Sequence, residues 1–332
     1  VLGASLQTAW PNPGLWQRAM EKLDFLVSID LQLTRDAAYA DLVLPATTGF
    51  EQASYCYYGN AIRYREQLIP PVGEARPSYR ILTELADRLG YGHLYPQHPE
   101  ALLAYILSAS EHTVEDLMTA DRHVLTAPAG PVQYRKWELG RLRADGQPGF
   151  ETPSGKLEIR SALLEEHGYD GLPVWEESYE TPRSQPELAR RFPLVLVTGP
   201  LKPDMKSCLR AIPAFRERYP APTVELHERD AADRAIADGD RVMVKTVRGE
   251  VAMRAVVTDR IKPGTAYAAV GGGGPLGTDE WRQSNVNELT DPGQCDPISG
   301  FPVYKVLLCD VAKKRRIRRG AARQDGAQGC AG

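Results

Sequence analysis

The sequence predicts a mixed α/β protein, with an α/β unit built on a parallel sheet at its start and a small β-barrel toward its end. Three observations lead there. Continuous apolar runs that stop at turn residues lie among helical patterns ahead of Ser108, as the buried strands of α/β units do. From Phe192 onward the pattern changes to short alternating strands with tight turns between them, which indicates a barrel. A length of 332 residues holds two or three such units.

Residues 23–29 form the first apolar run and end at Asp30; residues 40–46 form the second, centred on Leu42, Val43 and Leu44 and stopped by Pro45. Both predict strands covered on two faces. Residues 80–89 repeat at helical spacing, with Ile81, Leu82, Leu85 and Leu89 on one face and Gly90 at the end. Pro99 opens a second helix through Leu102, Leu103, Ile106 and Leu107. In the middle, residues 156–160 alternate like a short strand, and residues 163–169 predict a helix closed at Gly168. Residues 178–191 are polar and proline-containing and read as a linker. Barrel strands are expected at 194–197, 223–226, 241–247, 250–258 and 265–270, with a short helix at 230–236. Asp238-Gly239-Asp240, Arg248-Gly249 and Pro263-Gly264 supply the turns. The expected divisions are 1–95 (α/β unit), 96–189 (connecting segment with short helices and strands), 190–312 (barrel) and 313–332 (a basic, disordered tail).

Composition narrows the function. The net charge of −3 conceals a balance of +6 from Lys313 onward and −9 before it. An acidic body offers no basic face for phosphates, which argues against a nucleic-acid protein; the tail 313–319 reads as solvated. No apolar run approaches the roughly 18–20 residues of a membrane-spanning helix. Cysteines at 56, 208, 295, 309 and 330 include no CxxC pair, so they indicate neither a zinc site nor a disulfide framework. Cys309, after Val306-Leu307-Leu308, reads as a core residue. The chain opens on Val1 without a basic and then apolar leader, and its start is expected to be cut from something longer. The compartment is left open.

Several short motifs fail on inspection. Gly272, Gly274 and Gly277 fit GxGxxG, but Pro275 sits inside the motif and no helix pattern follows. Thr152-Pro153-Ser154-Gly155-Lys156 lacks the first glycine of a phosphate loop, at Phe150, and its Ser/Thr, at Leu157. His227-Glu228 begins a zinc-protease pattern, but Ala231 stands where the second histidine belongs.

Three longer segments are specific. They are LDFLVSIDLQLTRDAAYADLVLPATTGFEQ (23–52), LVLVTGPLKPDMKSCLRAIPAFRERYPAPTVELHERDAADRAIADGDRVMVKTVRGEV (194–251) and SNVNELTDPGQCDPISGFPVYKVLLCDV (284–311), with ETPSGKLEI (151–159) between them. In order and spacing they resemble the C-terminal half of the DMSO reductase family. Those oxidoreductases carry molybdenum or tungsten on two pyranopterin guanine dinucleotides. The resemblance implies a Rossmann-like nucleotide-binding portion followed by a double-psi β-barrel. It implies a 4Fe-4S domain and a metal-coordinating residue in a missing N-terminal half or a separate catalytic subunit, and an iron–sulfur electron-transfer subunit as partner. No metal ligand and no catalytic residue are expected in this chain. A polysulfide or thiosulfate reductase-like branch is favoured. A hydratase of the same family and a stand-alone cofactor-binding module are the alternatives.

A dinucleotide needs donors for its phosphates and a carboxylate for the N–H groups on the guanine edge. Asp30 stands at the carboxyl end of a buried strand, where open α/β sheets bind ligands. By resemblance it is the guanine-binding carboxylate, with Thr34 assisting; its plain alternative is a strand-end turn. Thr198, Gly199, Lys202, Lys206 and Ser207 follow the first barrel strand and match the family's cofactor-binding loop, with Arg210 beside them. Asn285 and Asn287 match a pterin-contacting amide segment; the plain alternative there is an Asx turn. Lys305 matches a further contact, and Gln52 and Ser78 stand where relatives often carry Lys and Asp. Two departures are visible. Gly3-Ala4-Ser5-Leu6 replaces a Gly-x-Asn-Pro, and Gly271–Gly274 replaces a His-Gly-Trp whose aromatic ring and imidazole would form part of the cofactor wall.

Overall fold

A computed structural model describes residues 1–126, 133–201 and 210–314. The N-terminal unit is built on two parallel strands, β1 (Val27–Asp30) and β2 (Leu42–Pro45), with Val27 opposite Leu42. Leu2 extends the sheet by a parallel bridge to Ile29. Two short helices, Leu6–Ala9 and Pro13–Met20, precede β1. Pro13 suits the first helical position, where its missing N–H costs nothing, and Asn12 Oδ1 accepts from Leu15 N–H at 3.1 Å. The expected two-sided cover is not found on β2, where Leu42 and Val43 are 43% and 36% exposed. The helix Ser78–Arg88 also departs from expectation: it buries Thr83 and Ala86, while Leu85 and Leu89 are 52% and 62% exposed. Its apolar stripe has no covering element among the described residues.

A second small core follows. Strands β3 (Ser54–Tyr58) and β4 (Ala61–Arg65) form a hairpin around Gly59-Asn60, with Gly59 at φ 59° as such two-residue turns require. Strand β5 (Val124–Thr126) pairs with β4. The helices Pro99–Leu107 and Val114–Thr119 pack Leu103, Leu107 and Leu117 against Ile62. The boundary expected at residue 95 falls inside this unit, because 54–65 and 124–126 share one sheet.

The middle segment corrects two readings. Residues 156–160 form no strand; their alternation meets no partner edge. The helix near 163 runs Ala162–Glu166, and Gly168 closes it at φ 80° with its N–H on Glu165 O. Residues 178–191 are no loose linker. Glu180 is 2% exposed, and Pro186–Arg191 is a helix. Arg248 holds Glu180 through both guanidinium nitrogens at 2.5 and 3.2 Å, with Tyr179 Oη and Asp291 also in reach. Glu180 Oε1 also accepts from Leu308 N–H at 2.8 Å, so both oxygens of this buried carboxylate are hydrogen-bonded. Burial pushes the Tyr179 phenol up to about 12.

The barrel is present and closed. In chain order its strands are β6 (Leu194–Gly199), β7 (Thr223–His227), β8 (Arg241–Lys245), β9 (Glu250–Thr258) and β10 (Thr265–Ala269). A ribbon of β11 (Asp291–Cys295) and β12 (Pro302–Val303) leads to the last stave, β13 (Leu307–Lys313). Around the ring the order is β10-β6-β13-β8-β9-β7. The pairs β10/β6 and β7/β9 are parallel and the other four antiparallel. Alternation is the physical cause: Val251, Met253 and Ala255 of β9 face inward with Val242 and Val244 of β8. Cys309 is buried in this core as expected, and burial raises its thiol.

Candidate functional site

A cavity of about 410 Å³ opens where the N-terminal unit meets the barrel side. One wall comes from the carboxyl ends of β1 and β2 and the chain start: Asp30, Thr34, Thr47, Ser5 and Thr8. Arg210, Gly271 and the stretch Gly274–Leu276 form the other, and Ser78 stands at the edge.

Local chemistry fixes each wall. Asp30 Oδ1 accepts from Leu31 and Gln32 N–H at 2.7 and 3.4 Å. That holds the carboxylate and leaves the acceptor capacity of Oδ2. Thr34 Oγ1 accepts from Ala37 N–H at 3.2 Å and so starts the turn Asp36–Tyr39. The fully buried Asp36 accepts from Leu6 and Gln7 N–H at 2.5 and 3.1 Å and from the Ser5 hydroxyl at 3.2 Å. It caps the helix Leu6–Ala9 from thirty residues away in sequence and fixes the chain start over β1. Thr47 is 4% exposed, and its Oγ1 has no hydrogen-bond partner.

On the opposite wall, the Arg210 guanidinium carbon lies 3.3 Å from the centre of the Trp281 ring, and Nη2 donates to Val270 O at 3.0 Å. Trp281 is itself held by its indole N–H on Tyr219 O at 2.8 Å. The glycine run is a packing requirement. A Cβ on Gly272 would sit 1.8 Å from Ser284 O, and one on Gly273, at φ +89°, would sit 2.4 Å from Asn285 Cβ. Only a backbone without side chains lies this close to 284–285.

The structure brings Asp30, Thr34 and Ser78 together in this cavity, with Arg210. Gln52 lies in an adjoining cleft of about 340 Å³ beside Tyr55, Tyr64 and Tyr79, which shares Ser78 with the first. The others stand elsewhere. Thr198 is buried and its hydroxyl donates to Tyr304 O at 2.9 Å, a barrel contact. The close approach at Gly199 is made by Tyr267, whose hydroxyl would lie 2.2 Å from an added Cβ. Asn285 and Asn287 are buried, and their amides donate to Gln7 O and Thr8 O, each at 2.8 Å. Asn285 Oδ1 accepts from Asn287 N–H at 3.0 Å, the Asx turn. These amides therefore staple the barrel side to the chain start behind the cavity. Lys305 is exposed and does not line it. Lys202, Lys206 and Ser207 lie outside the described residues.

Sequence reasoning missed Thr47 and Arg35. Arg35 lines the cavity, donates to Gly273 O at 3.3 Å and faces Glu288 at 3.8 Å. Its signal was position alone, five residues past the Asp30 strand end. Among the described residues no cluster of His, Cys, Asp and Glu could hold a metal ion, and no helix is long and apolar enough to cross a membrane.

Residues 194–308 match the family model of the molydopterin dinucleotide binding domain, and residues 1–88 match that of the molybdopterin oxidoreductases. The molybdopterin-containing subunit of thiosulfate reductase from Salmonella typhimurium is 29% identical over 86% of this chain and 39% of that protein. Dimethyl sulfoxide/trimethylamine N-oxide reductase from Cereibacter sphaeroides is 31% identical over 89% of this chain and 39% of that protein. The structure of acetylene hydratase from Pelobacter acetylenicus superposes with a TM-score of 0.79 at 25% identity, over 93% of this chain and 43% of that one. The chain thus spans about two fifths of the length of these three relatives.

Proposed function

Since the chain belongs to the molybdopterin oxidoreductase family of the DMSO reductase type, we propose that it is the part of such an enzyme that binds and orients a pyranopterin guanine dinucleotide in the 410 Å³ cavity. The observation that carries this reading is the donor set of that cavity. It pairs a strand-end carboxylate with a buried guanidinium, and Thr47 presents a buried hydroxyl lacking a partner. Buried polar groups are normally satisfied, so an orphan in a cavity wall fits a polar ligand. The thin glycine wall lets backbone approach such a ligand closely. The residues present therefore fit the group.

When bound, the cofactor supplies redox chemistry at its molybdenum or tungsten. The chain's own share is binding. Asp30 accepts from the N1–H and N2–H of guanine, Arg210 and the Thr8 and Thr47 hydroxyls hold phosphate oxygens, and Trp281 fixes the plane of Arg210. We read the two halves as a Rossmann-like portion and a double-psi barrel. The metal ligand and the 4Fe-4S cluster then belong to a part of the enzyme N-terminal to this chain, with an iron–sulfur subunit as electron partner. We keep a thiosulfate reductase-like branch as the first reading; the 29% identity to that enzyme's subunit and the 31% identity to the dimethyl sulfoxide/trimethylamine N-oxide reductase support the family alike. The superposition on acetylene hydratase supports a second, non-redox reading. A binding module without turnover is the third.

The test is calorimetric titration of the full chain with GDP and ADP. GDP is expected to bind more tightly than ADP, and Asp30→Asn to weaken GDP by about tenfold or more through loss of a charge-assisted pair. Equal affinity for the two nucleotides would sink this assignment.

A further inference from the structure

The cavity contains two guanidiniums that differ in how they are held. Arg210 is buried, stacked on Trp281 and bonded to Val270 O. Its position is fixed by packing. Arg35 is only partly covered, with 27% of its side chain exposed. Both of its contacts are at the long end of their ranges: 3.3 Å to Gly273 O and 3.8 Å to Glu288 Oε1. Glu288 follows the staple residue Asn287 and belongs to the turn Val286–Leu289, so Arg35 reaches across from the strand side to the barrel side. An ion pair of this length, with Glu288 half-buried, is worth little and is readily exchanged for a better acceptor. A phosphate offers such an acceptor, in the fork geometry that guanidinium matches.

We propose that Arg35 is a phosphate-binding residue of the cavity that Glu288 holds in reserve: an entering diphosphate takes the guanidinium from Glu288 and draws the strand side and the barrel side together across the ligand. This rests on the reading of the cavity as a dinucleotide site. The charge count supports it. The lining of the cavity holds two guanidiniums, Arg35 and Arg210, and one carboxylate, Asp30, and a released Arg35 turns its donors toward the phosphates. Glu288 is suited to letting go, because burial holds its carboxyl above the ordinary carboxylate value while Arg35 pulls it down. Once its partner leaves, the carboxyl is neutralised by a proton more readily than an exposed glutamate.

The experiment is a double-mutant cycle on the full chain, titrated with GDP and with guanosine as the ligand lacking phosphates. Arg35→Gln is expected to weaken GDP by about tenfold and to leave guanosine unchanged. Glu288→Gln is expected to tighten GDP by about threefold, and to lose that effect in the Arg35→Gln background. A merely structural latch would move both ligands alike and would show in the melting temperature of each variant. GDP affinity of Arg35→Gln within about twofold of the parent, while Asp30→Asn still weakens GDP, overturns the role of Arg35 and spares the dinucleotide reading. No tightening in Glu288→Gln overturns the reserve, even if Arg35→Gln fails to fold. Failure of the unaltered chain to prefer GDP over ADP overturns both.

Discussion

Thr47 buries a hydroxyl for which the folded chain provides no partner, an arrangement that costs about 1–3 kcal/mol wherever it occurs. Thr47→Val removes the hydroxyl at nearly constant shape. It is expected to raise the stability of the ligand-free chain by about 1 kcal/mol in urea unfolding and to weaken GDP severalfold in titration. A loss of stability would mean that the hydroxyl is already satisfied. Nothing in the order of residues marks Thr47, since an orphaned hydroxyl is a property of its surroundings. Asp30 is different: a carboxylate directly after an apolar run, at the carboxyl end of a strand, is visible in the linear pattern. Asn285 shows the limit of that approach. Its segment was placed at the cofactor, and its own amide is spent on Gln7 O.

At the scale of elements, the segment around Glu180 is fastened to the barrel through that carboxylate, which pairs with Arg248 and accepts from Leu308 N–H of β13. Removing Glu180 leaves Arg248, half-buried beside it, with Asp291 as its remaining counter-ion, and leaves the buried Leu308 N–H without its acceptor. Glu180→Ala is therefore expected to cost about 3–5 kcal/mol in urea unfolding. Replacing both groups together, Glu180→Leu with Arg248→Met, is expected to recover most of that loss, because no lone buried charge remains. Equal losses in the single and double variants would show that packing, not charge pairing, fastens the segment. Polar composition concealed this element: prolines and charges read as linker, and the partner that makes burial of Glu180 tolerable lies 68 positions away. The barrel strands were legible for the opposite reason. Each carries its inward face in its own alternation, so β9 spans the very residues the pattern marks, 250–258. The hairpin β3–β4 was overlooked although Gly59-Asn60 between tyrosine-rich runs is a turn signal.

For the molecule as a whole, the site is a junction, and no single stretch of sequence contains it. Its walls come from residues 3–78 and 210–276, and the amides of Asn285 and Asn287 hold those walls together. Asn287→Ala leaves Thr8 O without its donor, and is expected to cost about 1–3 kcal/mol. Hydrogen exchange should quicken at residues 5–9 while the strands β8 and β9 keep their protection. Faster exchange throughout the barrel would instead make Asn287 part of the barrel's own stability.

The same staple sets a timetable. Asn285 and Gln7 are separated by 278 positions, and at a synthesis rate of about 5–20 residues per second Gln7 is made roughly 14 to 56 s before Asn285. Through that interval Asp36 already holds the chain start over β1, while Gln7 O and Thr8 O wait for their donors. The last stave, β13, arrives later still, and without it β6 and β8 have no common neighbour. The enclosure therefore closes only once β13 has been made.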